Sequence, residues 1–135
     1  MADTRIVRIL GMSLNLQGMP PPSDPKTEAW LLNEPRSYRQ RIPRVLLDGE
    51  WTRWFNLHSR AHMEEKYPSG LAWYIKQDGS RPVYTQKFWP DIPGCVAFPR
   101  QQIQEAFATA KGPNKYFTCA ICWLLAFAIL EGFTH

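Results

Sequence analysis

Residues 51–58 read Trp51-Thr52-Arg53-Trp54-Phe55-Asn56-Leu57-His58, and this stretch decides the fold that the sequence predicts. It is rich in aromatic residues and apolar enough for a central strand of a parallel sheet, whose strands are covered on both faces. A central parallel strand delivers the residue that follows it into the crevice where ligands bind. Here that residue is His58.

Further strands are predicted on both sides of this one. They are Arg5–Leu10, Thr27–Leu32, Pro82–Thr85 and a short extended piece at Cys95–Phe98. Helices are predicted at residues 61–67, 71–77, 101–110 and 118–131, the last with Gly132 as its C-terminal cap. This alternation indicates an α/β fold, a Rossmann-like parallel sheet with flanking helices. We expect residues 1–135 to form a single domain.

Composition narrows the class of protein. The chain has 135 residues, 44% of them hydrophobic, which suits one globular domain. The net charge of +4 is spread along the chain, so it permits an anionic ligand but excludes a basic tail for indiscriminate nucleic-acid binding. The apolar stretch Phe117–Leu130 is shorter than the about 20 residues of a membrane crossing. Three cysteines and no signal-peptide pattern lead us to expect a reduced, cytoplasmic protein without a membrane partner.

The chain ends shortly after the last predicted helix. Phe133-Thr134-His135 comes directly after the most apolar helix. In an α/β fold such a helix normally crosses to another parallel strand. We therefore expect the chain to be a fragment that lacks its C-terminal strand or strands, the alternative being that this helix closes the domain.

Polar groups follow the predicted strands at one edge of the sheet, which is where open parallel sheets bind ligands. Gly11 and Ser13 follow the first strand and could let a phosphate approach the backbone, although the full glycine-rich fingerprint is missing. Asn33 follows the second strand and could contact a ribose or a base edge. The alternatives are an ordinary strand-ending turn at Gly11 and an Asx turn before Pro35.

His58 follows the third strand and is the candidate catalytic residue, as a general base or a phosphate donor. A structural histidine is the alternative. His62 lies four residues further along, but a two-histidine metal site would need a third ligand. Glu64 or Glu65 could provide one, yet the spacing fits no standard zinc pattern, so we expect no metal.

The start of the last predicted helix is a second place for an anion, because helix N-termini present free backbone N–H groups. Lys115-Tyr116-Phe117-Thr118 leads into it, and Thr118 is the candidate binding residue. The following Cys119-Ala120-Ile121-Cys122 is a C-x-x-C sequence. Since it opens a very apolar helix, we expect buried structural thiols, with Cys122 buried and reduced, rather than a redox pair.

Four arginines fall within nine residues that contain no acidic residue, and the planar guanidinium group suits phosphate. They are Arg36, Arg39, Arg41 and Arg44. This segment could be a solvated loop, or at least one of its arginines could contact phosphate or nucleic acid. Tyr38 is the one aromatic residue among them, so a surface that stacks single-stranded bases is weakly supported.

Together, these segments resemble a group of phage-encoded Rossmann-like proteins. They are also distantly similar to a bacterial sialyltransferase family and to the MptE-like pterin diphosphokinases. The segments that carry the resemblance are Ile9–Ser13, Trp30–Asn33, Arg53–His58, and Tyr116–Cys119 through Glu131–Phe133. The resemblance implies a nucleotide-binding domain and, in those relatives, a further strand directly after the final glycine and aromatic residue.

The sequence therefore predicts a protein of phage type that binds a nucleotide, a nucleotide sugar or another nucleotide-activated donor. Glycosyl or diphosphate transfer would be the reaction, with His58 as acid or base. Gly11 and Ser13 would hold phosphate or ribose, Asn33 the nucleoside, and Thr118 a second anion. The alternative is a non-catalytic phage accessory protein that binds a nucleotide signal or a protein partner. The sequence identifies no particular cofactor.

Overall fold

The computed structural model of the protein describes residues 4–10, 26–33, 35, 51–108, 117 and 119–135. Strands and helices alternate through these ranges. The strands are β1 (Ile6–Leu10), β2 (Thr27–Leu32), β3 (Arg53–Asn56), β4 (Val83–Thr85) and β5 (Cys95–Ala97). The helices are α1 (Arg60–Lys66), α2 (Pro68–Ile75), α3 (Arg100–Ala106) and α4 (Ala120–Leu130).

The five strands form one parallel sheet in the order β1-β2-β3-β4-β5. The register places Leu31 beside Trp54 and Trp54 beside Val83. The predicted α/β class, a Rossmann-like parallel sheet with flanking helices, is confirmed. Since all strands point the same way, the residues that follow them emerge at one edge, which we call the carboxyl edge.

Successive residues of the sheet face two separate cores. Trp54 packs with residues of α1 and α2 on one face, where Met63, Leu71 and Tyr74 are buried. Phe55, the next residue, packs on the other face with α3 and α4. Helices on both faces explain why β2 and β3 are apolar on both sides.

The direction of each connection decides which face of the sheet its helices cover. α1 and α2 connect β3 to its neighbour β4 on one face. α3 and α4 carry the chain back from β5, and after α4 the Val7 N–H donates to the His135 carbonyl over 2.8 Å, beside β1. Right-handed connections that run in opposite directions across a parallel sheet must use opposite faces.

The predicted element boundaries differ from the observed ones by a few residues. α4 begins at Ala120 and not at Thr118, because Cys119 is extended, with φ −139° and ψ 160°. It ends at Leu130, one residue before the predicted end, and is followed by the predicted glycine. Gly132 has φ 83°, and the Gly132 and Phe133 N–H groups donate to the Ile129 and Ala128 carbonyls, as glycine-capped helices do. None of the described helices has the length and apolarity that a membrane crossing requires.

Arg53, the first residue of β3, lies at the opposite edge of the sheet, where the strands begin, which we call the amino edge. Its Nε donates to Glu28 Oε2 over 2.8 Å and its Nη1 to Glu131 Oε2 over 3.1 Å. The guanidinium carbon lies 4.9 Å from the centre of the Trp30 ring. Burial alone would lower the pKa of Arg53, but the two carboxylates raise it. A charged arginine thus joins β2, β3 and the C-terminal end of α4.

Replacing Arg53 by methionine should therefore destabilise the fold. We expect Arg53→Met to lower the free energy of unfolding by about 2–4 kcal/mol, since Glu28 would keep a partly buried charge without its main partner. Denaturant unfolding measures this. Lys66→Met is the control: Lys66 pairs with Glu65 on the surface, so its loss should cost under about 0.5 kcal/mol. Equal effects of the two changes would contradict the structural role of Arg53.

Candidate functional site

A cavity of about 350 Å³ opens at the carboxyl edge of the sheet. Among the described residues, its lining comes from the ends of strands and from the starts of helices. The lining residues are Asn33, Leu57, His58, Gln86, Phe98, Arg100, Phe117, Cys119, Ala120 and Trp123. The size lies within the range of small-molecule sites, about 300–1,000 Å³.

Four neighbouring strands deliver the floor of this cavity. Asn33 directly follows β2, His58 follows β3 by two residues, Gln86 directly follows β4, and Phe98 directly follows β5. The opposite wall is built by the starts of two helices. It includes Arg100, the first residue of α3, and Cys119, which precedes α4.

Asn33 ends β2 in a left-handed backbone conformation, with φ 70°. Asparagine accepts this conformation more readily than most residues. Its N–H donates to the Phe55 carbonyl over 2.7 Å. Its own carbonyl accepts hydrogen bonds from Trp54 Nε1, over 2.8 Å, and from the Tyr74 hydroxyl, over 2.5 Å. The backbone of Asn33 is therefore tied to both β3 and α2.

His58 is positioned by a buried asparagine that the sequence analysis did not single out. Asn56 Oδ1 accepts a hydrogen bond from the His58 backbone N–H over 3.2 Å. Asn56 Nδ2 donates to the Tyr74 hydroxyl over 3.3 Å, and that hydroxyl donates to Asn33. Asn56 is 1% exposed. One buried network thus fixes the ends of β2 and β3, and so the spacing of Asn33 and His58.

The imidazole of His58 lies in a small aromatic group. Its ring centre is 4.7 Å from that of His62 and 6.1 Å from that of Tyr67. Burial, and then repulsion from His62, lower the pKa of His58 below its ordinary 6.5. Because the folded pKa is lowered, His58 favours the folded state above pH 6.5, and this contribution is lost as pH falls through the folded pKa. At neutral pH the ring is largely uncharged and can accept a proton.

The wall of the cavity contains groups that the sequence analysis missed. The Arg100 guanidinium carbon lies 5.0 Å from the centre of the Trp123 ring. The Phe117 and Trp123 ring centres are 4.7 Å apart. Arg100 could have been found from the sequence, because it lies just beyond the predicted strand at Cys95–Phe98. Gln86 directly follows the predicted strand Pro82–Thr85, and the observed β4 also ends at Thr85, so its position at the strand end was the signal that could have found it.

The cysteines differ from the expectation of buried thiols. Cys119 is exposed and Cys122 is half-buried, and both are free thiols. The reason is the orientation of α4, which turns Trp123, Leu124 and Phe127 towards the sheet and leaves Cys122 on its flank. The prediction that Cys122 is buried is therefore wrong.

Several predicted site residues lie outside the described part of the chain. These are Gly11, Ser13, Thr118 and the four arginines Arg36, Arg39, Arg41 and Arg44. Gly11 directly follows Leu10, the last residue of β1, and Leu10 pairs with Leu31 of β2. β1 and β2 therefore both end at the carboxyl edge, where the cavity lies. The binding roles of Gly11, Ser13 and Thr118, like the roles of Asn33 and His58, stay predictions.

No family model, no curated protein and no solved structure matches this chain. The site must therefore be interpreted from its own chemistry. Within the described ranges, no group of three or more His, Cys, Asp or Glu side chains is arranged to hold a metal ion.

The Tyr74 hydroxyl should be essential to the network. Tyr74→Phe would leave Asn56 Nδ2 without its acceptor and the Asn33 carbonyl with one donor fewer. We expect the free energy of unfolding to fall by about 1–3 kcal/mol. Tyr84→Phe is the matched control, since the Tyr84 hydroxyl makes a long 3.4 Å contact with Arg53. Its loss should cost less than about 1 kcal/mol, and a Tyr74→Phe protein as stable as this control would refute the role of the network.

Proposed function

We propose that this protein binds a nucleotide or a nucleotide-activated donor, such as a nucleotide sugar, in the cavity at the carboxyl edge. The observation that carries the proposal is the composition of the lining. A guanidinium group, a helix start, two amide side chains and three aromatic rings surround one space. A nucleotide has a complementary set of groups: an anion, hydrogen-bonding edges and a flat ring.

Each part of the lining suits one part of such a ligand. Arg100 provides a planar donor fork for phosphate, and the start of α4 favours a second anion near Thr118. The side chains of Asn33 and Gln86 would bond the nucleoside. Phe98, Phe117 and Trp123 offer faces against which a base or sugar could pack. Gly11 and Ser13, which follow β1, would complete the phosphate contacts.

His58 would act as the acid or base of a transfer reaction. Its lowered pKa supports this role, because a largely neutral imidazole can take a proton from an attacking hydroxyl at neutral pH. Glycosyl or diphosphate transfer from the activated donor fits the position of His58 in the cavity. The phage type of the protein belongs to the same proposal and rests on the resemblance alone.

Binding without turnover is the second candidate, as expected of an accessory protein that senses a nucleotide. One observation favours it: the described lining contains no carboxylate that could work with His58 as a second acid or base. Product formation separates the two candidates. A transferase releases the free nucleotide from its donor, whereas a sensor binds the donor and leaves it intact.

Arg100 tests the ligand class. Nucleoside mono- and diphosphates and inorganic phosphate are titrated into the protein by calorimetry. Arg100→Met should weaken binding of the best nucleotide by about 10- to 100-fold, the effect of one hydrogen bond to a charged group. Lys76→Met removes the same charge from the exposed end of α2 and should leave the Kd unchanged. If no nucleotide binds the wild-type protein more tightly than about 1 mM, the proposal is wrong.

His58→Ala tests the role of the imidazole. We expect turnover of a nucleotide sugar to fall at least about 100-fold while the melting temperature barely changes. His135→Ala is the control, because His135 is exposed beside β1 and does not line the cavity. A His58→Ala protein that is less stable by roughly 1–3 kcal/mol, yet binds and reacts normally when folded, would make His58 structural.

A further inference from the structure

Cys119 and Cys122 lie one helical turn apart at the start of α4. Cys119 is the N-cap residue and is exposed, whereas Cys122 is half-buried in the first turn. Their Sγ atoms are 3.3 Å apart. Two thiols this close need only a small movement to form a disulfide, and the exposure of Cys119 makes its thiol accessible to a reagent in solution.

The two thiols differ in character. Hydrogen bonding from the backbone N–H of Cys122, and then from the Cys122 thiol, lowers the pKa of Cys119. The Cys119 thiol, in turn, raises the pKa of Cys122. A helix N-terminus favours a thiolate for the same electrostatic reason that it favours any anion. The exposed Cys119 thiol is thus the more acidic of the two, and Cys122 is the less acidic.

The third cysteine, Cys95, has the environment of a structural cysteine and differs in this from Cys119 and Cys122. Its Sγ lies 3.0 Å from Thr85 Oγ1 and accepts a hydrogen bond from the Trp89 N–H over 3.3 Å. It lies in β5, the last strand of the described sheet, and packs against the core. Cys95 therefore provides an internal reference for a structural cysteine.

We propose that Cys119 and Cys122 form a redox-active dithiol that is oxidised reversibly by low-molecular-mass disulfides. The Cys119 thiolate attacks one sulfur of the small disulfide, forms a mixed disulfide and expels one thiolate. Cys122 then loses its proton to that thiolate and attacks Cys119 Sγ, which expels the second thiolate, protonated by solvent. In sum, two cysteine thiols are oxidised to one protein disulfide, and one small disulfide is reduced to two thiols.

This inference does not depend on nucleotide binding, since it uses the thiols and the helix start alone. The protein is incubated in glutathione buffers of increasing oxidised fraction, free thiols are blocked by alkylation, and the products are identified by mass spectrometry. We expect one internal disulfide between Cys119 and Cys122, reversed by reduced glutathione, with Cys95 still alkylated. A wild-type protein that keeps all three thiols in the most oxidising buffer would overturn the proposal.

Two variants assign the roles. Cys122→Ser should stop the reaction at a stable mixed disulfide on Cys119, because the resolving thiol is missing. Cys119→Ser should slow the reaction with glutathione disulfide by roughly tenfold or more, since Cys122 lacks the thiolate character of Cys119. Cys95→Ser is the control and should leave the exchange unchanged. If Cys119→Ser reacts as fast as Cys122→Ser, or if a disulfide forms with Cys95, the assignment is wrong.

Discussion

The carbonyl oxygen of Asn33 is the constraint on which the carboxyl edge of this fold depends. It accepts hydrogen bonds from Trp54 on the next strand and from Tyr74 on α2. Neither donor could be satisfied by water, because both side chains are fully buried. The end of β2 must therefore stop at a fixed distance from β3 and α2. The left-handed backbone of Asn33 is the local conformation that permits this.

From this point the network extends to the candidate site. Tyr74 holds Asn56, Asn56 holds the backbone of His58, and His58 faces the cavity. Polar groups in a core normally reduce stability, but here the Tyr74 hydroxyl ties α2 to the ends of β2 and β3, from which Asn33 and His58 reach the cavity. The network therefore does two things at once. It satisfies buried polar atoms, and it sets the positions of Asn33 and His58 before any ligand arrives.

The sequence predicted the central strands of the sheet well because β2 and β3 are largely buried and therefore appear as mostly apolar runs. β2 was predicted at its observed bounds, and β3 was found inside a longer predicted strand. The edge where Asn33 and His58 meet followed from the rule for parallel strands. Asn56 and Tyr74 could not be found in this way, since a buried asparagine inside a strand and a tyrosine inside a helix carry no signal without their partners. The exposure of Cys119 was missed for a similar reason: α4 is apolar on all sides, so its sequence does not show which face meets the sheet.

α4 connects the two edges of the molecule. Its first turn, with Ala120 and Trp123, lines the cavity at the carboxyl edge. At its other end, Glu131 binds Arg53 through its carboxylate and Arg5 through its carbonyl at the amino edge. Because a helix is stiff along its axis, the ion pair with Arg53 and the hydrogen bond from Arg5 at one end set how far the first turn reaches over the sheet at the other. Trp30 also packs against Phe127 of α4 and against Phe133, which follows the helix, and so holds the helix from the side. The shape of the cavity is therefore set partly by residues at the far edge of the sheet, which do not line it.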